Sequence, residues 1–339
     1  MNRFRHAARG CTLAFLLLSA QSLFAQETTP ELTPEITPEA TDTIQPTRTP
    51  LDALPGAGNF TVQQPFDGVQ RVYRIQIPAS YERSDQLFPL VFVLHGAGGD
   101  GAGMEVISAF NAISERDGVI VVYPDGIDRV WNDGRPMDSR VDGTINDVAF
   151  LAAITQYLEA NLRIDPERVY ATGYSMGGML AYRLGCLLPD IFAAVASVAS
   201  TMPAYILEEC IDADPIPVMI VQGTDDTVIP WTGVRGGYLS ARDTVRFWRQ
   251  VNGCVGDSQI DPMDDAAPDD GTRALIEAST DCEQAAEVTL IGVYFGGHTW
   301  AGTSVEVSTS LGLTSQDFSA TELIWQFFSR HVKIDETAR

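Results

Sequence analysis

The feature that most constrains the fold of this chain is a serine flanked by glycines at the junction of two predicted elements. Residues 173–178 read Gly-Tyr-Ser-Met-Gly-Gly; they follow an extended run and lead into a helical pattern. A serine on a sharp strand-to-helix turn is the nucleophile-elbow pattern G-x-S-x-G, in which side chains at the glycine positions would clash. The pattern predicts that Ser175 is presented as a nucleophile at the end of a β-sheet. A serine- and glycine-rich loop that matches by chance is the alternative, and the strand–turn–helix context disfavours it.

The candidate base for this serine follows from elimination among the four histidines of the chain. A serine hydroxyl near neutral pH needs an adjacent base, usually a histidine that a carboxylate orients. His6 lies in a segment expected to be removed on export, and His95 begins a different, glycine-rich motif. His331 falls in the last turn of a predicted C-terminal helix, where a positive side chain suits the helix dipole. His298, in a glycine-rich loop after the apolar run 288–294, is therefore the predicted base, with a solvated turn residue as the alternative.

The carboxylate should lie between these two residues, because hydrolases with this elbow run serine, acid, histidine along the chain. The best-placed segment is 223–230, Gly-Thr-Asp-Asp-Thr-Val-Ile-Pro, directly after a strand-like run. Of its two adjacent aspartates, Asp226 is the predicted acid, and Asp225 is expected to cap the turn. Ordinary aspartate turn chemistry is the alternative for both.

Two backbone amides are expected to stabilise the oxyanion of a tetrahedral intermediate. One is the amide of Met176, directly after the serine, and the other should come from the loop after an earlier strand. Residues 95–99, His-Gly-Ala-Gly-Gly, fit that loop, and Ala97 is the predicted donor. An ordinary glycine-rich turn is the alternative. A phosphate-binding loop is disfavoured because neither G-x-x-x-x-G-K-[ST] nor G-x-G-x-x-G follows.

Several motifs occur together in a fixed order. They are HGAGG at 95–99, YPDG at 123–126, WN at 131–132, NDVAFL at 146–151, ATGYSMGG at 171–178 and GGHTW at 296–300. Together they resemble the secreted polyhydroxybutyrate-depolymerase and feruloyl-esterase group of α/β-hydrolases, over most of the chain after about residue 60. The resemblance implies an esterase with Ser175, Asp226 and His298 as its catalytic triad. Phe295 and Ala301 stand where such sequences often have glycine and proline, and these departures bear on substrate preference more than on chemistry.

The N-terminal region predicts export. Residues 1–25 have the parts of a signal peptide: basic residues, the apolar run 13–18 and small residues up to Ala25. Residues 26–57 are rich in Thr, Pro and Glu and have too little apolar surface to offset the entropy of ordering, which predicts a disordered linker. The protein is therefore expected to be secreted, with this linker as a candidate attachment to the cell surface. The sequence contains no second long apolar segment, so stable membrane insertion is not expected.

Residues 58–335 are expected to form a single α/β-hydrolase catalytic domain. Strand-like apolar runs alternate with helical segments, which favours a mostly parallel central sheet flanked by helices. Functional loops should follow the carboxyl ends of its strands. A final helix should begin near Ser319, where Glu322 completes a capping box.

Four cysteines remain after export: Cys186, Cys210, Cys254 and Cys282. An even number in an oxidising compartment suggests two disulfides, for which three connectivities exist. Sequence order and the family resemblance favour Cys186–Cys210 and Cys254–Cys282. A zinc site is disfavoured because the sequence has no C-x-x-C pair with a nearby histidine.

The formal net charge of −23 argues against two classes of partner. Nucleic acids and anionic membranes are bound largely through Lys and Arg, which Asp and Glu outnumber here. The acidic segment 261–270 does not match a calcium-loop pattern and is predicted to be a solvated loop. The predicted chemistry requires no metal or cofactor, and a monomer is expected.

The expected partner is an ester substrate, small or polymeric, such as a feruloylated plant polysaccharide or a polyester. Trp131, Trp231 and Trp300 occur in loops near the motifs, and we expect them to form walls of the substrate cleft. Ordinary packing is the alternative for each of them. The alternative functions are a serine peptidase, a general carboxylesterase or lipase on the same scaffold, and a non-catalytic binding protein.

Overall fold

Ten strands form one continuous β-sheet in the computed structural model, which describes residues 56–136 and 143–333. The predicted signal peptide, 1–25, and all but the last two residues of the predicted linker, 26–57, lie outside the described residues. The strands are β1 (Gly58–Phe66), β2 (Val69–Ile77), β3 (Phe88–Leu94), β4 (Ile120–Pro124), β5 (Ile164–Tyr174), β6 (Ala194–Val198), β7 (Val218–Gly223), β8 (Gln259–Pro262), β9 (Arg273–Ser279) and β10 (Val288–Tyr294). The helices are α1 (Gly101–Ser108), α2 (Phe110–Asp117), α3 (Asp147–Asn161), α4 (Met176–Leu187), α5 (Leu207–Cys210), α6 (Ala241–Val251) and α7 (Ala320–Phe328).

The strand order is β1-β2-β4-β3-β5-β6-β7-β10-β9-β8, which makes the centre of the sheet parallel and both edges antiparallel. The central strands run parallel from β4 to β10, whereas β1 and β2 at one edge and β9 and β8 at the other pair antiparallel. β3, β4, β6 and β7 are buried along their whole length, as expected where helices cover both faces of a sheet. The predicted α/β-hydrolase fold with a mostly parallel central sheet is confirmed.

The edge strands carry weaker sequence signals than the central ones. β1 alternates half-buried and exposed residues, and β8 is exposed at all of its positions. Because β8 overlaps the acidic segment 261–270, the prediction of a solvated loop is wrong for the backbone of Asp261 and Pro262, although their side chains are exposed. A strand with no buried face lacks the apolar alternation by which a sequence reveals strands.

The C-terminal helix closes one face of the sheet. Ser319 caps α7 by accepting a hydrogen bond from the amide three residues further on, as the capping box predicts. Phe328 stacks on Tyr170 of β5 with ring centroids 4.8 Å apart. His331 lies beyond the helix and not in its last turn, because α7 ends at Phe328; its Nε2 is 3.0 Å from a carboxylate oxygen of Glu287.

Two disulfides join Cys186 to Cys210 and Cys254 to Cys282, the pairing that the resemblance implies. The first ties the end of α4 to α5, and the second joins the loop after α6 to the loop after β9. Within the two described ranges, no helix has the length and apolar character needed to cross a bilayer.

A buried ion pair fixes the segment between β4 and α3. Arg71 on β2 places Nη2 2.6 Å from Oδ1 of Asp147, and both side chains are 1% exposed. The other carboxylate oxygen of Asp147 accepts the backbone amide of Asn132 at 2.7 Å. The guanidinium lies over the ring of Phe150, 3.8 Å from its centroid, and donates to the carbonyl of Asp125. Buried charges are tolerated when they are paired and hydrogen-bonded, and removing one partner leaves the other charge buried without compensation.

Replacing Asp147 by Asn should lower the free energy of unfolding by about 3–5 kcal/mol, because it leaves the buried Arg71 without its counter-charge. Urea denaturation followed by circular dichroism measures the loss. The control is Arg246→Gln, which removes an exposed ion pair with Asp243 on α6 and should leave the denaturation midpoint nearly unchanged. Equal midpoints for the two variants would contradict the importance of the buried pair.

Candidate active site

Ser175 stands on a strained turn between β5 and α4. Its backbone has φ 53° and ψ −118°, and such a conformation costs a non-glycine residue about 1–3 kcal/mol. The turn is held in place by its surroundings: the Ser175 amide donates to the carbonyl of Val198 at 2.9 Å. A Cβ at Gly173 would overlap the backbone of Gly177, and a Cβ at Gly177 would overlap the carbonyl of Leu94. Glycine is therefore required at both positions.

The carboxylate of Asp226 follows the end of β7 and is surrounded by hydrogen-bond donors. Oδ1 accepts the amides of Val228 and Ile229, both at 2.8 Å. Oδ2 accepts from Nε2 of Gln222 at 3.0 Å and lies 2.8 Å from Nδ1 of His298. These contacts fix the orientation of the carboxylate toward the imidazole.

The adjacent aspartate has a different environment. Asp225 is exposed, and its carboxylate accepts a hydrogen bond from the hydroxyl of Thr224 at 2.9 Å. Its amide donates to the carbonyl of Gly296 at 3.0 Å. The structure thus brings Asp226, and not Asp225, to His298.

His298 is buried in the loop after β10, beside the elbow. Because Asp226 accepts at Nδ1, the neutral imidazole carries its proton there and leaves Nε2 as an acceptor. The amide of His298 donates to the carbonyl of Leu311 at 2.6 Å. Its carbonyl accepts from the hydroxyl of Tyr174, the residue before Ser175, at 2.6 Å. The predicted base therefore contacts the predicted acid, and its loop is bonded to the residue before Ser175, at the carboxyl edge of the parallel strands where open α/β sheets place their sites.

The loop 95–99 passes close to the elbow. A Cβ at Gly96 would come 3.3 Å from the Cβ of Ser175 and closer still to the neighbouring side chain. The amide of Gly98 donates to the carbonyl of Arg129 at 2.7 Å, which anchors the far side of the loop. The glycine-rich segment is therefore held in place beside the serine.

The two predicted oxyanion donors lie in the loop 95–99 and at the start of α4. Ala97 is exposed in the loop, and Met176 is the first residue of the helix. Within the described part of the chain, neither amide N–H donates to a protein acceptor. Both are therefore available to an oxygen of a ligand, and the helix N-terminus adds its positive dipole end.

His95 holds this loop and is itself buried. Its Nδ1 lies 2.8 Å from the carbonyl of Gly96, and its Nε2 accepts the amide of Gly126 at 2.9 Å. The carbonyl of His95 accepts the indole N–H of Trp131 at 2.8 Å. Since Nε2 accepts, the ring is neutral with its proton on Nδ1. Burial lowers the pKa of His95, while its hydrogen bond to Gly96 and nearby carboxylates oppose the shift.

The motifs at 123–126, 131–132 and 146–151, to which the sequence assigns no catalytic role, form hydrogen bonds next to this loop. The amide of Asn132 donates to Asp147, and the amide of Gly101 donates to the carboxylate of Asp125 at 2.6 Å. Two of these motifs are therefore bonded to each other, and the third is bonded to the start of α1. Spacing alone does not reveal this role, because the partners meet only in the folded chain.

The three tryptophans expected to line a cleft have different environments. Trp131 is fully buried, and Trp300 is 2% exposed with its indole N–H donating to the hydroxyl of Thr321 at 3.0 Å. The expectation that these two form cleft walls is wrong, because both the ring and the N–H of each are satisfied inside the protein. Trp231 is partly buried with its ring over Gly292 of β10, and it stays a candidate wall.

Gln222 belongs to the site, although no sequence motif singles it out. It is fully buried on β7 and donates both to Asp226 and, at 2.8 Å, to the carbonyl of Ile229. The sequence feature that could have identified Gln222 is a glutamine near the end of an otherwise apolar strand, Val-Met-Ile-Val-Gln-Gly.

Phe295, one of the two departures from the pattern of similar sequences, adopts the conformation that glycine favours. Its φ is 61°, in the left-handed region, and its side chain is 58% exposed. The amide of Phe295 donates to the hydroxyl of Thr224 at 2.9 Å. A glycine at this position would adopt the same backbone without strain, which explains the residue usual in similar sequences.

A cavity of about 670 Å³ lies at the opposite end of the sheet. It is lined by segments at the starts of β5, β6 and β7 and by residues after α7, including Pro166, Ala193, Pro217 and Lys333. The candidate site is instead formed by loops that follow the strands. Among the residues described, no group of three His, Cys, Asp or Glu side chains is placed to hold a metal ion.

Known proteins share sequence with this chain. The family model described as "Esterase PHB depolymerase" matches residues 72–228. NocK of Nocardia uniformis subsp. tsuyamanensis, named as an esterase, is 31% identical over 310 residues, which cover 86% of this chain and 89% of that protein. A protein of Aspergillus terreus named as a feruloyl esterase C is 29% identical over 274 residues, which cover 78% of this chain and 87% of the relative.

A solved structure shares the fold. The acetyl xylan esterase from Aspergillus awamori superposes with a TM-score of 0.54 at 15% identity, covering 80% of this chain and 99% of that one. At this identity the likeness shows the fold alone. The range that the family model matches contains Ser175 and Asp226, whereas His298 lies beyond it.

The environment of His95 predicts a pH dependence of stability. Because its pKa is lower in the folded protein than in the unfolded chain, the unfolded chain takes up the proton first as the pH falls below about 6.5. The free energy of unfolding should therefore fall with the pH from that value until the folded-state pKa is reached. In His95→Gln this contribution should be absent, although the glutamine oxygen can still accept the amide of Gly126. Urea denaturation of both proteins across this range measures the difference, and identical pH slopes would contradict the prediction.

Proposed function

We propose a mechanism from one premise: this chain belongs to the polyhydroxybutyrate-depolymerase esterase family of the α/β-hydrolase superfamily and is a carboxylic ester hydrolase. In this proposal Ser175 is the nucleophile, His298 the general base, and Asp226 the acid that orients it. The observation that carries the proposal is the 2.8 Å contact between the buried carboxylate of Asp226 and Nδ1 of His298, beside the strained turn of Ser175.

In the first step the Ser175 oxygen attacks the carbonyl carbon of the ester while Nε2 of His298 takes the hydroxyl proton. The carbonyl electrons move onto oxygen and give a tetrahedral intermediate. Its collapse breaks the bond to the leaving oxygen, which receives the proton from Nε2 and departs as an alcohol. Asp226 holds the imidazole tautomer and stabilises the imidazolium in between.

In the second step water takes the place of the serine hydroxyl. Nε2 of His298 removes a proton from the water, whose oxygen attacks the acyl carbon. The second tetrahedral intermediate collapses by breaking its bond to the Ser175 oxygen, which regains the proton from Nε2. The carboxylic acid leaves, and the enzyme returns to its starting state.

The amides of Ala97 and Met176 are the proposed donors to the oxyanion in both steps. The proposal is supported by their lack of a protein acceptor among the described residues. Preorganised donors stabilise the charge that develops in the transition state more than the neutral carbonyl of the substrate, which is how they raise the rate.

The proposed substrate is an uncharged ester, of the feruloyl-polysaccharide or polyhydroxyalkanoate type. The name of the Aspergillus terreus relative and the description of the family support this choice. The net charge of −23 also disfavours anionic substrates through long-range repulsion. Turnover of methyl ferulate, a hydroxybutyrate oligomer and p-nitrophenyl acetate by the purified protein would rank these chemistries, with Trp231 as the proposed contact for the acyl or alcohol group.

The proposed place of action is outside the cell. The signal-peptide pattern of residues 1–25 supports export. The two disulfides fit an oxidising compartment, because such bonds are rare where thiols are kept reduced.

Replacing Ser175 by Ala should abolish hydrolysis of p-nitrophenyl acetate, because no acyl-enzyme can form. A fluorophosphonate probe should label the wild-type protein at Ser175 and leave the variant unlabelled, as mass spectrometry of the peptides would show. Circular dichroism of the variant should match the wild type, since alanine has no larger side chain than serine. Turnover by the folded variant would remove the nucleophile assignment.

Replacing Asp226 by Asn should lower kcat by about 10⁴-fold, because an amide does not hold the required imidazole tautomer. The matched control is Asp225→Asn at the neighbouring, exposed aspartate, for which kcat should stay near the wild-type value. Steady-state kinetics with one p-nitrophenyl ester compare the two. Similar losses in both variants would show that the acid has been assigned to the wrong residue.

A further inference from the structure

Tyr174, the last residue of β5, contacts the proposed base twice. Its hydroxyl donates to the carbonyl of His298 at 2.6 Å. Its ring lies against the imidazole, with centroids 5.0 Å apart and planes at 45°. Because Tyr174 precedes Ser175 directly, any displacement of the His298 loop relative to this tyrosine is also a displacement relative to the nucleophile.

The same ring contacts the loop that carries a proposed oxyanion donor. A Cβ at Gly96 would come 2.9 Å from Cδ1 of Tyr174, so the backbone of Gly96 lies directly on the ring. Gly96 is bonded to Ala97 in the chain. One side chain therefore contacts the base and the oxyanion loop and is covalently next to the serine.

The His298 loop is otherwise held from its other side. The amides of Gly297 and His298 donate to the carbonyls of Leu313 and Leu311, at 2.8 and 2.6 Å. The hydroxyl of Thr299 also donates to the carbonyl of Leu313, at 3.1 Å. These bonds fix the loop to segment 311–313. The bond from Tyr174 instead fixes it to the sheet edge where Ser175 stands.

The tyrosine hydroxyl is suited to be a permanent donor. Burial raises the pKa of Tyr174 above its ordinary range, and the negative charge of Asp226 adds to the shift. The phenol therefore keeps its proton throughout the pH range in which an imidazole base works.

We infer that Tyr174 is a positioning residue for ester hydrolysis, which sets the distance and orientation of His298 relative to Ser175 through its hydroxyl. The inference rests on the proposed roles of Ser175 and His298. Tyr174 itself exchanges no proton with the substrate. Its effect is on the fraction of molecules in which the imidazole is aligned with both the serine and Asp226.

The test is Tyr174→Phe, which keeps the ring and removes the hydroxyl. With p-nitrophenyl acetate, kcat should fall about fivefold or more, the factor expected for one neutral hydrogen bond, while KM stays nearly constant. Burst titration of the acylated serine gives kcat per competent site, so a partly unfolded preparation would not imitate the loss.

The chain provides a matched control in Tyr170→Phe on the same strand. The hydroxyl of Tyr170 donates to the carbonyl of His331 at 2.7 Å, the same type of bond at a similar distance, far from the site. This variant should lose stability to a similar extent as Tyr174→Phe and keep the wild-type kcat. The comparison distinguishes the loss of stability that follows from removing any buried hydrogen bond from the loss of kcat that follows from a misplaced His298.

A further measurement reports on the imidazole itself. Among the described residues, Asp226 and Tyr174 are the titratable groups in contact with the His298 ring. Loss of the Tyr174 hydroxyl should loosen the contact between Asp226 and Nδ1 of His298 in Tyr174→Phe. The low-field proton resonance of Nδ1 should broaden or shift upfield, and this signal requires no turnover.

The inference is overturned if Tyr174→Phe keeps the wild-type kcat and proton resonance and only its stability falls, as in the control. Failure of the proposed function has a different signature. In that case Ser175→Ala would retain turnover, or the wild-type protein would not react with the fluorophosphonate, whatever residue 174 is.

Discussion

The candidate site depends on how closely α4 packs against the end of β3. Gly177 brings the first turn of this helix onto the carbonyls of Leu94 and His95, where a side chain would have no space. One glycine therefore sets the distance between the nucleophile turn and the loop 95–99. The backbone of Ser175 is then held in its strained conformation by main-chain packing on both sides.

Behind this edge, buried polar contacts hold the loops in place. Asp147 connects Arg71 on β2 to the backbone of Asn132, and His95 connects its own loop to the loop after β4. Asp226 is held by main-chain amides and a glutamine before it meets the imidazole. Buried polar groups are costly when they lack partners, so each of these pairings excludes other positions of the loops.

The features that could be predicted from sequence are those whose physical cause is local. A side chain at Gly173 would clash with Gly177, four residues away, and the capping serine of α7 bonds within one turn. The edge strand β8 could not be predicted in this way, because it buries no face. The loop position of Trp131 predicts a cleft wall, yet loop position does not determine whether a ring points inward, and this ring is fully buried.

By itself, the sequence determined the alternation of strands and helices, the position of the elbow and the order of serine, acid and histidine along the chain. Only the tertiary structure brings Asp226, which the sequence favours over Asp225, into contact with the imidazole, since His298 and Asp226 are 72 positions apart. It also decided that the nitrogens of His95 bind the backbone of its own loop and of Gly126. The physical reason is that periodicity and turn chemistry act over a few residues, whereas these contacts exist only once the sheet has brought distant loops to one edge.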